Sequence, residues 1–476
     1  MNRIIKNFAI LLTLGWVGFQ SPMAHAQVFK AGAAQSVITP PIGYSINGNF
    51  QDGKVRHVHD DTHAKAIVMD DGKTKLAIVV SDLCMVYKET LDKAKKRAHE
   101  LTGIPVENMM MSATHTHSGG TACSVFQSDP EPFYLDFLAE RIADALVRAN
   151  NNLVPAEIGW EKGYEPTQVH NRRWYMNTEE GMTNPFGGVD KVRMNPGIKS
   201  PHLKEPAGPT DPEVYVVYLR SLTGEPIAVL ANYSLHYVGG TGPGEISADY
   251  FGMFGLRMKK LLGEGDPHRP FVGIMSNGTS GDINNIDWRS GSWRPPGVYA
   301  QMQRVANLVS DEAYKAIQKM NYRQWVPLAS AQKEISLRVR KPTSAELKRA
   351  KDILAKQTDQ VLKERDAIYA RETVLIDQYP DQVPLIIQAF RIGDLAISAI
   401  PCEVFVEIGL EIKEKSPFPS TFTISLANGY NGYLPTPKHH QLGGYETWRA
   451  RSSYLETEAS EKIKSTLFPL LEQLKK

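Results

Sequence analysis

Cysteine is scarce in this chain of 476 residues, with only Cys84, Cys123 and Cys402 present. At most one disulfide is available and one thiol is left over, so covalent staples do not hold the fold. Charge of a single sign is equally lacking. Lys and Arg total 54 against 52 Asp and Glu, a formal net charge of +2, with no long run of either sign. A phosphate backbone needs a basic stripe to follow, so nucleic acid is excluded as the expected partner. Long apolar runs are missing too. The longest, Phe8–Phe19, is shorter than the ~20 residues that span a bilayer, and no transmembrane anchor is expected. Neither an internal repeat nor a low-complexity linker occurs.

What is present is an ordinary globular composition, 42% hydrophobic and 22% charged with 37 Gly and 30 Pro. This excludes collagen-like, coiled-coil and wholly disordered chains. Because single cores stop growing at roughly 250–300 residues, the length implies two domains or one large α/β body with insertions.

Arg3 and Lys6, the run Phe8–Phe19 and Ala24-His25-Ala26 before Gln27 have the form of a cleavable export signal with an A-x-A site. Residues 1–26 are therefore read as a signal peptide and 27–476 as the working domain, exported to the periplasm or beyond in a bacterium. No cysteine near the cleavage site offers a lipid anchor.

Downstream, short β-type and longer helical segments alternate, which predicts an α/β fold of mixed sheets flanked by helices. Ala66–Met69 and Leu76–Val80 flank Asp70-Asp71-Gly72 as a hairpin, and Glu213–Arg220 and Ile227–Asn232 flank Thr223-Gly224 as another. Helices are predicted over Lys88–Leu101, Pro132–Ala149, Asp249–Leu262 and Val298–Met320, and strands over Met109–Ala113 and Phe271–Ser276. Thr343-Ser344-Ala345-Glu346 is a capping box, and Leu347, Ala350, Leu354, Val361 and Ile368 mark one stripe of a charged helix after it. Two β runs surround Ile392-Gly393-Asp394. Asn177–Pro209, rich in Gly, Pro and Asn, is the candidate for a long loop over a site.

Chemistry concentrates where β runs give way to glycine. In Thr114-His115-Thr116-His117-Ser118-Gly119-Gly120, alternate residues of a strand end share one face, so His115 and His117 project together. Such a pair suits zinc, or forms hydrogen-bonded histidines at a sheet edge. His236 also ends a β run before a glycine cluster, as a ligand or a core histidine. Glu403 follows Leu395–Ile400 and Pro401, as a site carboxylate or a satisfied loop acid. Asn277–Asn285 follows a strand with small and polar residues, fit for an oxyanion pocket or an ordinary turn. His57, His59 and His63 beside Asp60-Asp61 read as a solvated turn or a surface metal site.

In this order the motifs THTHSGG, the later strand-end histidine, Asn-x-x-x-Gly-Asp, Asn-Arg, Pro-x-Glu and Asn428-Gly429-Tyr430-Asn431-Gly432-Tyr433 resemble the neutral (non-lysosomal) ceramidases, zinc amidohydrolases that cut the N-acyl bond of ceramide. The likeness runs from about Ala31 to Tyr454. It implies zinc ligands at His115, His236, Glu403 and Tyr433, at strand ends. It implies active-site roles for His117 and Tyr445 and substrate contacts for Arg172 and Gly48. Two departures stand out. Asn284 occupies the place of the family's active-site serine, where its amide can donate to an oxyanion but cannot be acylated. Because the sequence stops soon after the tyrosine motif, the family's C-terminal immunoglobulin-like domain is expected to be absent. The expectation is an exported zinc hydrolase acting on a small-molecule or lipid-like substrate through activated water. The alternatives are the same scaffold turned to a glycan-derived amide, ester or glycosidic bond, and a non-catalytic binding protein.

Overall fold

The computed structural model describes residues 28–291 and 294–476; the expected signal peptide, residues 1–26, lies outside the described residues. The larger sheet is built from β1 (Lys30–Val37), β2 (His63–Asp70), β3 (Lys75–Ser81), β4 (Met109–Ala113), β5 (Val154–Tyr164), β6 (Glu213–Ser221), β7 (Pro226–Tyr233) and β8 (Val272–Asn277), in the spatial order β8-β7-β6-β5-β1-β2-β3-β4. Its inner pairs are antiparallel, and its two outer pairs, β3 with β4 and β7 with β8, are parallel. Parallel neighbours need a crossover. Helix α1 (Lys88–Thr102) makes the first, and α3 (Asp249–Leu262) the second.

The smaller sheet has the order β9 (Leu328–Arg338), β10 (Gln382–Ile392), β11 (Leu395–Ile400), β12 (Ser420–Ser425). Its parallel pair β11 and β12 is joined through the helix Val406–Lys415. The two sheets pack face to face, Ile78, Met110, Leu230 and Ile274 meeting Phe390, Ile397 and Phe422. Helices α1 and α2 (Pro132–Asn151) cover one half of the large sheet's outer face, and α3 and α4 (Ala300–Ile317) the other. The C-terminal helix Ala459–Lys475 covers the small sheet. The predicted class of mixed sheets flanked by helices is thus realised as four layers, helix, sheet, sheet, helix.

This layering explains why the central strands read as unbroken apolar runs. In β3, Leu76, Ile78 and Val80 enter the core between the sheets while Ala77 and Val79 enter the core beneath the helices. The predicted hairpins form as β2 with β3, β6 with β7 and β10 with β11. Gly32 is required in β1, since a Cβ there would lie 2.2 Å from the carbonyl oxygen of Ala149 at the end of α2.

One expectation is corrected. The stripe from Leu347 to Ile368 is two helices, Ser344–Leu354, begun by the predicted capping box at Thr343, and Arg365–Asp377. Residues 355–361 offer almost nothing to bury, and Leu362 turns inward while Val361 is 50% exposed, so the register breaks.

Lys95 of α1 is a second consequence of close packing. Only 2% exposed, it donates one hydrogen bond, 2.8 Å to Asn428 Oδ1. Burial, ahead of the opposing pull of Asp92, pushes its pKa down from 10.5 to about 8. The folded state therefore binds fewer protons than the unfolded chain between pH 8 and 10.5. The penalty is full below about pH 8 and is relieved as pH rises towards 10.5, on the order of 3 kcal/mol in all. Asn428 Oδ1 also accepts from the Met111 N–H at 3.3 Å, so it keeps a partner without the lysine. Lys95→Met is expected to raise stability at pH 7 by about 1–3 kcal/mol and to flatten the rise above pH 8, read by urea denaturation at several pH values.

Candidate metal centre and its cavity

The carboxyl ends of β4, β7, β8 and β11 supply the side chains of one cavity, the position at which α/β sheets build sites. Beyond β4, His115 has φ +74°, in the left-handed region, and its N–H is held by the Leu83 carbonyl at 2.9 Å. The alternation expected for His115 and His117 is therefore not that of a continuing strand. The chain turns, and the two rings meet edge to face with centroids 4.7 Å apart. A non-glycine residue held in this conformation costs about 1–3 kcal/mol, and such strain clusters at functional sites.

His115 Nε2 lies 2.9 Å from His236 Nε2 and 3.1 Å from Glu403 Oε2, with His236 Nε2 3.7 Å from the same oxygen. Each imidazole is oriented by a backbone carbonyl at its other nitrogen, Cys84 O at 2.8 Å for His115 and Ser280 O at 3.0 Å for His236. A carbonyl only accepts, so Nδ1 carries the proton and Nε2 turns a lone pair inward. Glu403 Oε2 has no hydrogen-bond donor, while Tyr430 donates to its Oε1 at 3.0 Å. Two imidazoles and a carboxylate, all buried and converging without a donor between them, fit a zinc ion.

The protonation pattern agrees with three acceptors crowded together. Burial opposes charge on His115, yet Cys84 and Glu403 outweigh it and hold its pKa well above the usual value. The Cys84 thiol is itself pushed up by burial, so the Glu403 carboxylate is the charge that matters. Burial, reinforced by His115 and Arg172, holds His236 and His117 well below the usual value.

Tyr433 is brought beside Glu403 by a short parallel pair, Glu403–Val404 with Tyr433–Leu434. Its hydroxyl accepts from Arg172 Nη2 at 3.3 Å. Arg172 also donates to Gly281 O at 2.6 Å and to Glu446 at 3.0 Å, and its guanidinium lies 5.2 Å from the centre of the Tyr445 ring. It is therefore a buried strut beneath both tyrosines, as well as a wall of the cavity. Glu446 bridges Arg172 and Arg173, the second at 2.9 Å.

His117 stacks on Tyr237 with ring centroids 3.7 Å apart, and the Gly48 backbone lies against its Nδ1. Gly48, with φ +110°, sits against it, and a Cβ there would meet the imidazole Cγ at 2.6 Å. Asn284 lines the cavity, its Nδ2 donating to Asn195 Oδ1 at 3.1 Å and its Oδ1 accepting from Ile286 N–H at 3.1 Å. The nearby Ser280 hydroxyl donates to Asn277 at 2.9 Å. Asp282 anchors this loop, accepting from Asn171 at 2.8 Å and from Val406 N–H at 3.0 Å. Burial and then Glu407 push its pKa up to about 7. His57, His59 and His63 join no metal-type group among the described residues, and His59 stacks on Tyr299.

The cavity encloses about 430 Å³. Phe50, Met85, Val125, Phe126, Val238 and Ile286 give it apolar walls around the polar floor. Of the residues expected from sequence, His115, His117, Arg172, His236, Asn284, Glu403, Tyr433, Tyr445 and Gly48 all line it. Tyr430, Tyr237 and Asn195 line it as well without having been singled out.

The site is thus a strand-end His-His-carboxylate cluster under a mostly apolar cavity, carried on two stacked mixed sheets. No family model matches the chain. Among curated proteins, neutral ceramidase A of Dictyostelium discoideum is 24% identical over 267 residues, 52% of this chain and 33% of its own length. Neutral ceramidase B of the same organism is 24% identical over 240 residues, 48% and 31%. The chain thus matches about a third of the length of these relatives. The crystal structure of neutral ceramidase from Pseudomonas aeruginosa superimposes with a TM-score of 0.70 at 19% identity, covering 94% of this chain and 75% of that one. A ceramidase complexed with C2 gives 0.70 at 16% identity over the same shares. The chain thus has the fold of the neutral ceramidases and is similar to them in sequence over about half of its length.

Proposed function

We propose that this chain is an exported, zinc-dependent hydrolase that cleaves an N-acyl bond, with residues 27–476 as one catalytic unit. The observation that supports it most is the convergence of His115 Nε2, His236 Nε2 and Glu403 Oε2 within 3.7 Å of one another at the floor of a closed-in cavity. When bound there, zinc supplies Lewis-acid polarisation of a carbonyl and lowers the pKa of water to about 7. His115, His236 and Glu403 would hold it, with Tyr433 as the fourth side chain within reach of Glu403. His117, kept neutral by burial and by His115 and Arg172, is suited to take a proton and return it to the leaving amine. Its stack on Tyr237 and the close approach of Gly48 fix the ring. Arg172 holds the Tyr433 hydroxyl, and Tyr445 and Asn284 face the acyl group, Asn284 as a donor to the developing oxyanion. The apolar walls suit an acyl chain. Neutral ceramidases among its relatives and the A-x-A site before Gln27 support a lipid-like substrate and export.

The test is elemental analysis of the purified protein together with hydrolysis of a fluorescent N-acyl probe before and after chelation. Stoichiometric zinc and activity restored by zinc are expected; a folded, metal-free protein of undiminished activity overturns the reading. Asn284→Ala is expected to keep its zinc and lose about 10²–10³ in kcat, the usual cost of one oxyanion donor. A kcat within threefold of the parent removes Asn284 from the machinery.

A further inference from the structure

Away from the metal cluster, the cavity wall formed by residues 284–288 carries hydrogen-bond donors that no group of the protein uses. Asn285 is 2% exposed and Trp288 5%, and both line the cavity. Among the described residues, neither Asn285 Nδ2 nor Trp288 Nε1 has an acceptor. The opposite end of the Asn285 amide is already taken, since its Oδ1 accepts from Arg294 Nη2 at 2.9 Å, so the NH₂ is its free end. Buried donors are satisfied in the great majority of proteins, and an orphan costs about 1–3 kcal/mol. Two of them on one wall of a substrate cavity mark acceptors that arrive with the ligand.

The kind of acceptor follows from the surroundings. Both donors are neutral, and among the described residues that line the cavity the one guanidinium, Arg172, is already paired with Glu446 at 3.0 Å. Arg294 reaches the Asn285 amide but is not one of the lining residues, so an anionic group in the cavity would meet no unpaired cation among them. Hydroxyl oxygens on a ring are different, because amide and indole N–H groups serve the oxygens while aromatic faces cover the C–H surface. The indole of Trp288 and the phenol of Tyr237 both line the cavity. We infer that Asn285 and Trp288 form a shelf for an uncharged, hydroxyl-bearing headgroup such as a sugar, attached to the amine side of the N-acyl substrate. This rests on the N-acyl hydrolase reading and narrows it to glycosylated substrates. It also accounts for a cavity that is apolar at Phe50 and Phe126 yet amide-rich at Asn284, Asn285 and Asn195.

Binding and turnover are measured separately, so that the two readings fail separately. By calorimetry on the zinc-loaded protein, n-hexyl β-D-glucoside is expected to bind at least about tenfold more tightly than 1-hexanol, because hexanol brings a single oxygen and leaves at least one of the two buried donors unpaired. Trp288→Phe, which keeps the ring and removes the N–H, and Asn285→Leu are each expected to cut that ratio about threefold or more. In turnover, an N-acyl probe with a glycosylated amine is expected to exceed its unglycosylated counterpart in kcat/KM by about 10–100-fold. Equal binding of the glucoside and hexanol to the unaltered protein overturns the shelf whatever the hydrolysis shows. Tighter binding of n-hexyl sulfate than of the glucoside overturns it in favour of an anion site. Selective glucoside binding with no hydrolysis of any N-acyl probe supports the shelf and overturns the hydrolase.

Discussion

His236→Ala is expected to yield a folded protein that retains less than a tenth of the parent's zinc and has lost roughly 10³-fold or more in kcat on an N-acyl probe. His236 is the informative ligand to remove. His115 sits in the left-handed region with Cys84 against its ring, so its replacement changes the backbone as well as the donor set. Glu403 also receives Tyr430. His236 contributes one inward nitrogen and one bond to Ser280 O, and little else depends on it. With it gone, His115, Glu403 and the Tyr433 hydroxyl remain, and one imidazole with two oxygen donors holds zinc less tightly than the full set. Circular dichroism separates misfolding from metal loss. A variant with stoichiometric zinc and kcat within threefold of the parent would falsify this ligand set.

The second large effect is expected in stability. Glu446, fully buried, is the sole carboxylate paired with both Arg172 and Arg173, whose side chains are 5% and 0% exposed. Glu446→Gln keeps the shape and removes the charge, stranding two buried cations. Breaking a buried pair from one side costs about 3–5 kcal/mol, and here one deletion breaks two. Urea denaturation is expected to show a loss at the upper end of that range. The surface pair Lys348 and Asp352, 80% and 60% exposed, supplies the control, and Asp352→Asn is expected to cost less than about 1 kcal/mol. Equal losses for the two variants would show that the arginine bridge adds nothing beyond a surface contact. Because Arg172 also holds the Tyr433 hydroxyl, Glu446→Gln is expected to lower kcat in whatever fraction stays folded.

The sequence was most legible where local rules act alone. The hairpin at Asp70-Asp71-Gly72, the capping box at Thr343 and the strand ends before His115, His236 and Glu403 each depend on a few neighbouring residues, and each lies where periodicity and turn chemistry put it. What could not be read is what arises across the fold. The Arg172 strut needs Glu446, 274 residues away, and nothing in either segment signals the other. Tyr430, inside a motif already noted, differs from Tyr433 only in which one bonds Glu403, a question of backbone direction after Gly429, at φ +143°. The orphaned donors of Asn285 and Trp288 are visible only once burial is known. The helix over 343–368 failed for a related reason, since a stripe counted at constant period does not show where the chain pauses.

The ligands are held by loops from both sheets and from distant parts of the chain, His115 and His236 alone being 121 residues apart. No stretch of the unfolded polypeptide can therefore offer the cluster, and affinity for the ion exists only once both sheets have docked. Any such ligand stabilises the native state by RT ln(1 + [L]/Kd), so a thousandfold excess over Kd adds about 4 kcal/mol. If these residues hold zinc as proposed, the ion is a late folding partner as much as a reagent. Molecules made where it is scarce would spend longer partly open, exposed to proteases, and cellular shortage would register first as a lower amount of protein and only then as slower turnover per molecule.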